Sequence, residues 1–199
     1  MRIIAGEARG RRIEAPEGLE TRPTLDRVRE NLFNMLQNRV RDARVLDLFA
    51  GSGALSLEAL SRGAAAAVLT DISARAHRVE KKNVETLGFG DRARVIKCDW
   101  HRAVSLLREE DARFDLIFLD PPYAMTDLRE VMDSLRPLLA EDGLILLEHE
   151  AGVEITVASG YELVKERKWG FCAFSFYARS AENASPADPG GTMKGQEKE

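Results

Sequence analysis

Apolar residues along this chain follow two rhythms. Between residues 44 and 150, short continuous apolar runs alternate with stretches in which apolar positions recur every three or four residues. The runs "RVLDLF" (44–49), "AAVLTD" (66–71), "ARVIKCD" (93–99), "FDLIFLD" (114–120) and "GLILLEHE" (143–150) have the length of strands buried on both faces. Between them "ALSLEALSRG" (54–63), "SARAHRVEKKNVETLG" (73–88) and the stretches near 101–110 and 127–139 read as helices, two of them ending at Gly63 and Gly88. Such alternation predicts an α/β fold with a mostly parallel sheet. The run "YELVKERKWGFCAFSFYAR" (161–179) breaks the rhythm. It predicts two strands turning at Trp169-Gly170, a C-terminal antiparallel hairpin on one edge of the sheet.

The flanks differ. Residues 2–18, "RIIAGEARGRRIEAPEG", are short runs punctuated by glycine and predict a hairpin. In "TLDRVRENLFNMLQNRV" (24–40), Val28, Leu32, Met35, Leu36 and Val40 keep helical spacing, with Thr24 or Asp26 available as cap. After Arg179 the chain has almost nothing to bury, which predicts a disordered tail. The expected layout is a hairpin-and-helix extension over 1–43, a sheet domain over 44–179 and a tail over 180–199.

Composition narrows the class. At 199 residues, 44% hydrophobic and 31% charged, the chain suits one soluble core with a small appendage and neither a disordered nor a membrane protein. No apolar run approaches a bilayer span, and the first residues turn basic too soon for a signal peptide, so a cytoplasmic protein is expected. Cys98 and Cys172 lie in apolar runs without ligand spacing, and His77, His101 and His149 are scattered; neither set predicts a metal site. The net charge of −4 argues against a protein that coats nucleic acid indiscriminately. Residues 1–12 nevertheless carry Arg2, Arg9, Arg11 and Arg12 against Glu7 alone. A solvated face is the commoner meaning of such a run; phosphate contacts are the functional one.

Candidate chemistry gathers at the C-terminal ends of the predicted strands, where open α/β sheets bind ligands. In "LDLFAGSGALSLEAL" (46–60), Gly51 and Gly53 let the backbone turn tightly and approach a ligand near a helix N-terminus, but the third glycine of a dinucleotide fingerprint is missing. Asp47 is placed to meet a cationic amine. Asp71, closing the second strand, is placed to accept from the two hydroxyls of a ribose, and Asp99-Trp100 follow the third. Each acid alone is as readily a loop or helix cap; together they favour a nucleoside that carries an amine. The fourth strand ends in Asp120-Pro121-Pro122-Tyr123. A Pro-Pro pair by itself means a rigid turn. With a carboxylate before it and a ring after it, Asp120 Oδ and the Pro121 carbonyl can both accept from one planar NH2 group while Tyr123 stacks on the ring bearing that amine.

These residues resemble the class I S-adenosylmethionine-dependent methyltransferases, and within them the amino-methyltransferases with a (D/N/S)PP(Y/F) motif. "RIIAGEARGRRIEAP", "TRPTLDRVRENLFNML", "VLDLFAGSGALSLEALSRGA" and "FDLIFLDPPY" together look like the RsmD-type enzymes, which methylate N2 of a guanine in small-subunit (16S) ribosomal RNA; the likeness spans about residues 1–179. The resemblance implies a Rossmann-like methyltransferase sheet, S-adenosyl-L-methionine as cofactor, no metal, and ribosomal RNA or a small-subunit assembly particle as the partner of a monomer. It implies that Asp47 and the loop of Phe49, Ala50, Gly51, Ser52 and Gly53 hold the methionine part of the cofactor. Asp71 would hold the ribose, Asp99 and Trp100 the adenine, Ile72 would be a further cofactor contact, and Asp120, Pro121, Pro122 and Tyr123 would hold the target guanine. Arg9, Arg11, Arg12, Arg22 and Arg27 are the expected RNA contacts, in a segment that the sheet does not need for its core. In two places the chain departs from the pattern: Asp71 stands where Glu is common, and Ser73 where a second acid is frequent. The rivals are an amino-methyltransferase acting on adenine N6 or on a protein glutamine, for which Asn at position 120 would suit a primary amide better, a nucleotide-dependent oxidoreductase, which leaves DPPY unexplained, and a non-catalytic RNA-binding protein.

Overall fold

A computed structural model describes residues 1–16 and 23–180; the predicted tail beyond Ser180 lies outside the described residues, as does Arg22. The elements run in the order α1 (Pro23–Val40), β1 (Arg44–Asp47), α2 (Ala54–Ser61), β2 (Ala66–Asp71), α3 (Ala74–Leu87), β3 (Ala93–Lys97), α4 (Trp100–Glu109), β4 (Phe114–Leu119), α5 (Arg129–Leu135), a 3-10 turn (Arg136–Leu138), β5 (Leu139–Glu150), β6 (Tyr161–Trp169) and β7 (Cys172–Arg179). One seven-stranded sheet has the order β3-β2-β1-β4-β5-β7-β6, parallel through its first five members and antiparallel at β7 and β6. The predicted fold class is the observed one. β5 starts four residues earlier than the apolar run suggested, because Leu139 pairs with Phe114 across a bulge before regular pairing begins at Leu144.

Both faces of the sheet are covered, which is why its central strands read as unbroken apolar runs. Alternate residues of β4 serve opposite layers: Leu116 and Phe118 join the layer of α1, α2 and α3, while Ile117 and Leu119 join that of α4 and α5. The first layer also takes in Ile3, Ala8 and Ile13 with Leu32, Phe33 and Leu36. This corrects the expectation that the sheet does not need the N-terminal segment for its core. A backbone ladder between residues 1–3 and 10–13 makes the expected hairpin-like loop, and Gly6 presses its tip onto the end of α2. There Ser61 Oγ donates to the Ala5 carbonyl at 2.6 Å and its carbonyl accepts from Glu7 N at 2.8 Å. Buried Glu58 accepts from the backbone N–H groups of Ile4 and Ala5 at 2.8 and 3.0 Å and pairs with Arg62 at 2.7 Å. Asp26 is no helix cap. It sits within the first turn of α1, where it pairs with buried Arg29 at 3.0 Å.

Candidate active site

The C-terminal ends of β1 to β5 open into a cleft of about 710 Å³. β1 leaves Asp47 at its base, 2% exposed, with one carboxylate oxygen accepting from Ser56 Oγ at 3.1 Å. Burial drives its carboxyl up to about 7, against the Ser56 hydrogen bond, with Asp71 and Glu148 adding repulsion. Above it, Phe49, Ala50, Gly51 and Ser52 line the cleft. Gly51 has φ +57° and open space where a Cβ would stand, so a ligand can lie on its backbone. Gly53 has another job: it does not line the cleft, and a Cβ there would come within 2.7 Å of Leu69, so it lets α2 pack close to β2.

Asp71 and Asp99 are both bound to local backbone. Both line the cleft. Asp71 accepts from Gly51 N at 3.0 Å and from Ser73 N at 2.7 Å, tying the glycine loop to the end of β2. Ser73, where a second acid is frequent in similar chains, caps α3 by accepting from Arg75 N and Ala76 N. Asp99 caps α4 through Arg102 N at 3.1 Å, and that bond foremost holds its carboxyl below the usual range. Ile72, 70% exposed, and Trp100 supply apolar walls on either side, and Trp100 stacks on His101 with centroids 3.6 Å apart.

All four residues of DPPY line the same cleft. Pro122 O is occupied by Met125 N at 2.7 Å, which closes the turn, whereas the Pro121 carbonyl accepts no backbone hydrogen bond among the described residues. Asp120 opens into the cleft but is hemmed in by protein. Desolvation, then Glu148, then Asp47 push its carboxyl well above the usual range. Tyr123 is 56% exposed at the rim. Sequence reasoning missed Glu148, which lines the cleft at the end of β5. The only signal was an acid at the C-terminal end of an apolar run, and three polar residues in a row, Glu148, His149 and Glu150, hid which one faces the ligand. It also missed Met1, Ala15, Val28 and Arg29, by which the N-terminal segment and α1 complete the wall.

Of the five predicted RNA contacts, Arg11 is engaged within the protein: its guanidinium donates to the carbonyls of Thr86 and Leu87 at the end of α3. Arg9, Arg12 and Arg27 are exposed, with no side-chain partner among the described residues. The described residues hold no group of three His, Cys, Asp or Glu side chains able to bind a metal, and no helix long and apolar enough to cross a membrane.

The strand order, the reversed β7-β6 edge and a carboxylate-lined cleft at the carboxyl ends of the parallel strands define a class I methyltransferase fold. A solved putative methyltransferase complexed with SAH shares this fold at TM-score 0.63, with 16% identity over 75% of this chain and 48% of that one. The chain belongs to the family described as conserved hypothetical protein 95, whose model matches residues 1–178. It is 40% identical over 191 residues to the "Ribosomal RNA small subunit methyltransferase D" of Escherichia coli (strain K12), covering 94% of each chain. It is 38% identical over 183 residues to the "Putative rRNA methyltransferase YlbH" of Bacillus subtilis (strain 168), covering 90% of this chain and 99% of that one. The solved structure of the putative methyltransferase yhhF from Escherichia coli superposes with TM-score 0.76 at 40% identity, over 91% of this chain and 98% of that one.

Proposed function

We propose that the protein transfers a methyl group from S-adenosylmethionine to the exocyclic N2 amine of a guanine in small-subunit ribosomal RNA. The observation that carries this reading is the placement of Asp120, a free Pro121 carbonyl and a rim tyrosine in one cleft with the glycine loop, Asp47 and Asp71. The relatives named as ribosomal RNA methyltransferases, matched over nearly the whole chain, supply the substrate class.

The residues fit the cofactor. Asp47 answers its ammonium, the Phe49–Ser52 loop its methionine backbone, Asp71 its ribose, and Asp99, Trp100 and Ile72 its adenine. When bound, the cofactor supplies a methyl on a positively charged sulfur, so the leaving group is neutral. The chain's own task is to prepare a poor nucleophile. Asp120 and the Pro121 carbonyl accept the two N2–H bonds, drawing the nitrogen lone pair out of conjugation with the ring and aiming it along the S–CH3 axis. With the cofactor bound, its methyl would pass to N2 and its sulfur would leave with the bonding pair as a neutral thioether. The resulting cationic amine gives its extra proton to Asp120, whose raised pKa suits it to receive one, and the proton passes to water.

Tyr123 stacks on the captured base. Phe171, 85% exposed at the β6–β7 turn, projects from the same sheet edge and offers a second ring to an unpaired nucleotide. Arg9, Arg12 and Arg27 meet the phosphates. The test is to incubate the protein with tritiated cofactor and either naked small-subunit RNA or assembly particles, and to map the label. N2-methylguanine is the expected product, and label on an adenine or a protein glutamine refutes the reading. Asp120→Ala should lower turnover by roughly 10²–10³ with cofactor affinity unchanged, the scale of one preorganised polar group removed from a reaction centre.

A further inference from the structure

We propose that Glu148 accepts the N1–H of the target guanine and is the residue by which the site selects guanine over adenine; this rests on the guanine reading above. The parallel pairing of β4 with β5 sets Phe118 beside Leu146 and Leu119 beside Leu147. Asp120 and Glu148 are the residues that follow this last pair, both line the cleft, and the charge of Glu148 reaches Asp120. One oxygen of Glu148, Oε1, accepts from Cys172 Sγ at 3.3 Å. The other has no partner among the described residues, and no lysine, arginine or histidine there pairs with either carboxylate.

Two adjacent carboxylates without a cation call for a ligand that brings two adjacent donors. The Watson–Crick edge of guanine does so, with N2–H2 beside N1–H. Adenine offers N6–H2 beside an N1 lone pair, which would face the Glu148 oxygens and be repelled. A primary amide has an NH2 group and no second donor beside it. With Asp120 and the Pro121 carbonyl engaged by N2, Glu148 is the acceptor left for N1–H. The electrostatics agree with this arrangement: burial pushes Glu148 upward, and burial first, then the charge of Glu148, raises Asp120. A buried acceptor that loses its donor when the wrong base enters discriminates far more sharply than a change of shape.

The experiment compares guanosine with 2-aminopurine at the nucleotide that the wild type methylates, in small-subunit RNA assembled by ligation. 2-Aminopurine keeps the N2 amine but carries a lone pair at N1. The wild type should favour guanosine by about 10²-fold or more in kcat/KM. Glu148→Gln, whose amide can donate to that lone pair, should shrink the preference at least ~10-fold by losing on guanosine and gaining on 2-aminopurine. Glu148→Ala should lose on guanosine without the gain. Far-UV circular dichroism and a cooperative urea transition serve as the control for folding and should match the wild type in both variants. An equal preference in wild type and Glu148→Gln overturns the proposal, as does a wild type indifferent to the two bases. Failure of the guanine reading itself has another signature, label on a residue other than guanine in unmodified RNA.

Discussion

At the scale of single residues, the cleft is a row of carboxylates whose properties are set by what surrounds each one. Asp71 and Asp99 are held by backbone N–H groups, while Asp47 is sealed beneath the glycine loop with a single hydroxyl for company. Burial lifts the Asp47 carboxyl to about 7. The proposed contact between Asp47 and the cofactor's ammonium needs that carboxyl ionised, so under this reading binding expels a proton wherever the free protein holds one there. Affinity for S-adenosylhomocysteine should therefore rise with pH, by up to about tenfold per unit below pH 7, and flatten above it. Calorimetry in buffers of different ionisation enthalpy measures the released proton directly. Asp47→Asn should bind weakly at every pH and show no such slope.

At the scale of elements, the N-terminal loop and α2 form one unit. Gly6 sits at φ +82°, and a Cβ there would lie 1.7 Å from the Ser61 carbonyl oxygen, which is backbone and cannot swing aside. Gly6→Ala should cost at least ~2 kcal/mol in urea unfolding, since the left-handed strain and the clash add. It should also weaken S-adenosylhomocysteine binding, because the displaced loop carries Met1 and Ala15 away from the cleft wall. Gly10, at φ +81° with open space around it, should tolerate alanine at about 1 kcal/mol. The contrast separates docking from backbone freedom. Asn83 of α3 reinforces the same joint, donating to the carbonyls of Glu14 and Ser52 at 3.0 Å each and so linking the N-terminal segment to the glycine loop.

At the scale of the whole molecule, buried acids and surface arginines give opposite dependences on solution conditions. Glu80 of α3 is wholly buried, neither of its carboxylate oxygens has a partner among the described residues, and burial with the charges of Asp47 and Asp71 drives it up to about 8. In the unfolded chain it ionises near 4.5. Between those values the native state holds the extra proton, so its contribution makes the fold less stable as pH rises through that window. Glu80→Gln should remove on the order of 2–4 kcal/mol of that decline between pH 5 and 8, read from urea midpoints at each pH. RNA binding answers to the other charge. Replacing Arg9, Arg12 and Arg27 with alanine should lower RNA affinity and flatten its dependence on salt, with S-adenosylhomocysteine binding unchanged. An unaltered salt slope would mark the three as a solvated face.

The apolar rhythm by itself determined the strands, the helices and the side of the sheet where chemistry gathers, because burial on two faces and a crossover helix leave periodic marks in a chain. DPPY was legible too as the stiff end of a buried strand, and the structure puts its four residues in the cleft. What it left open were matters of direction and partnership. Arg9 and Arg11 look alike in sequence, yet one is free in solvent and the other finishes a helix 75 residues away. Gly51 and Gly53 share a motif, but one faces open space in the cleft and the other makes room for Leu69. Glu148 gained meaning only from the pairing of β4 with β5, which brings it into the cleft with Asp120. Local propensity and periodicity act over a few residues and can be read in order along the chain; register, burial of a charge and the pairing of distant groups are decided when the layers close on one another, and only the tertiary structure contains that step.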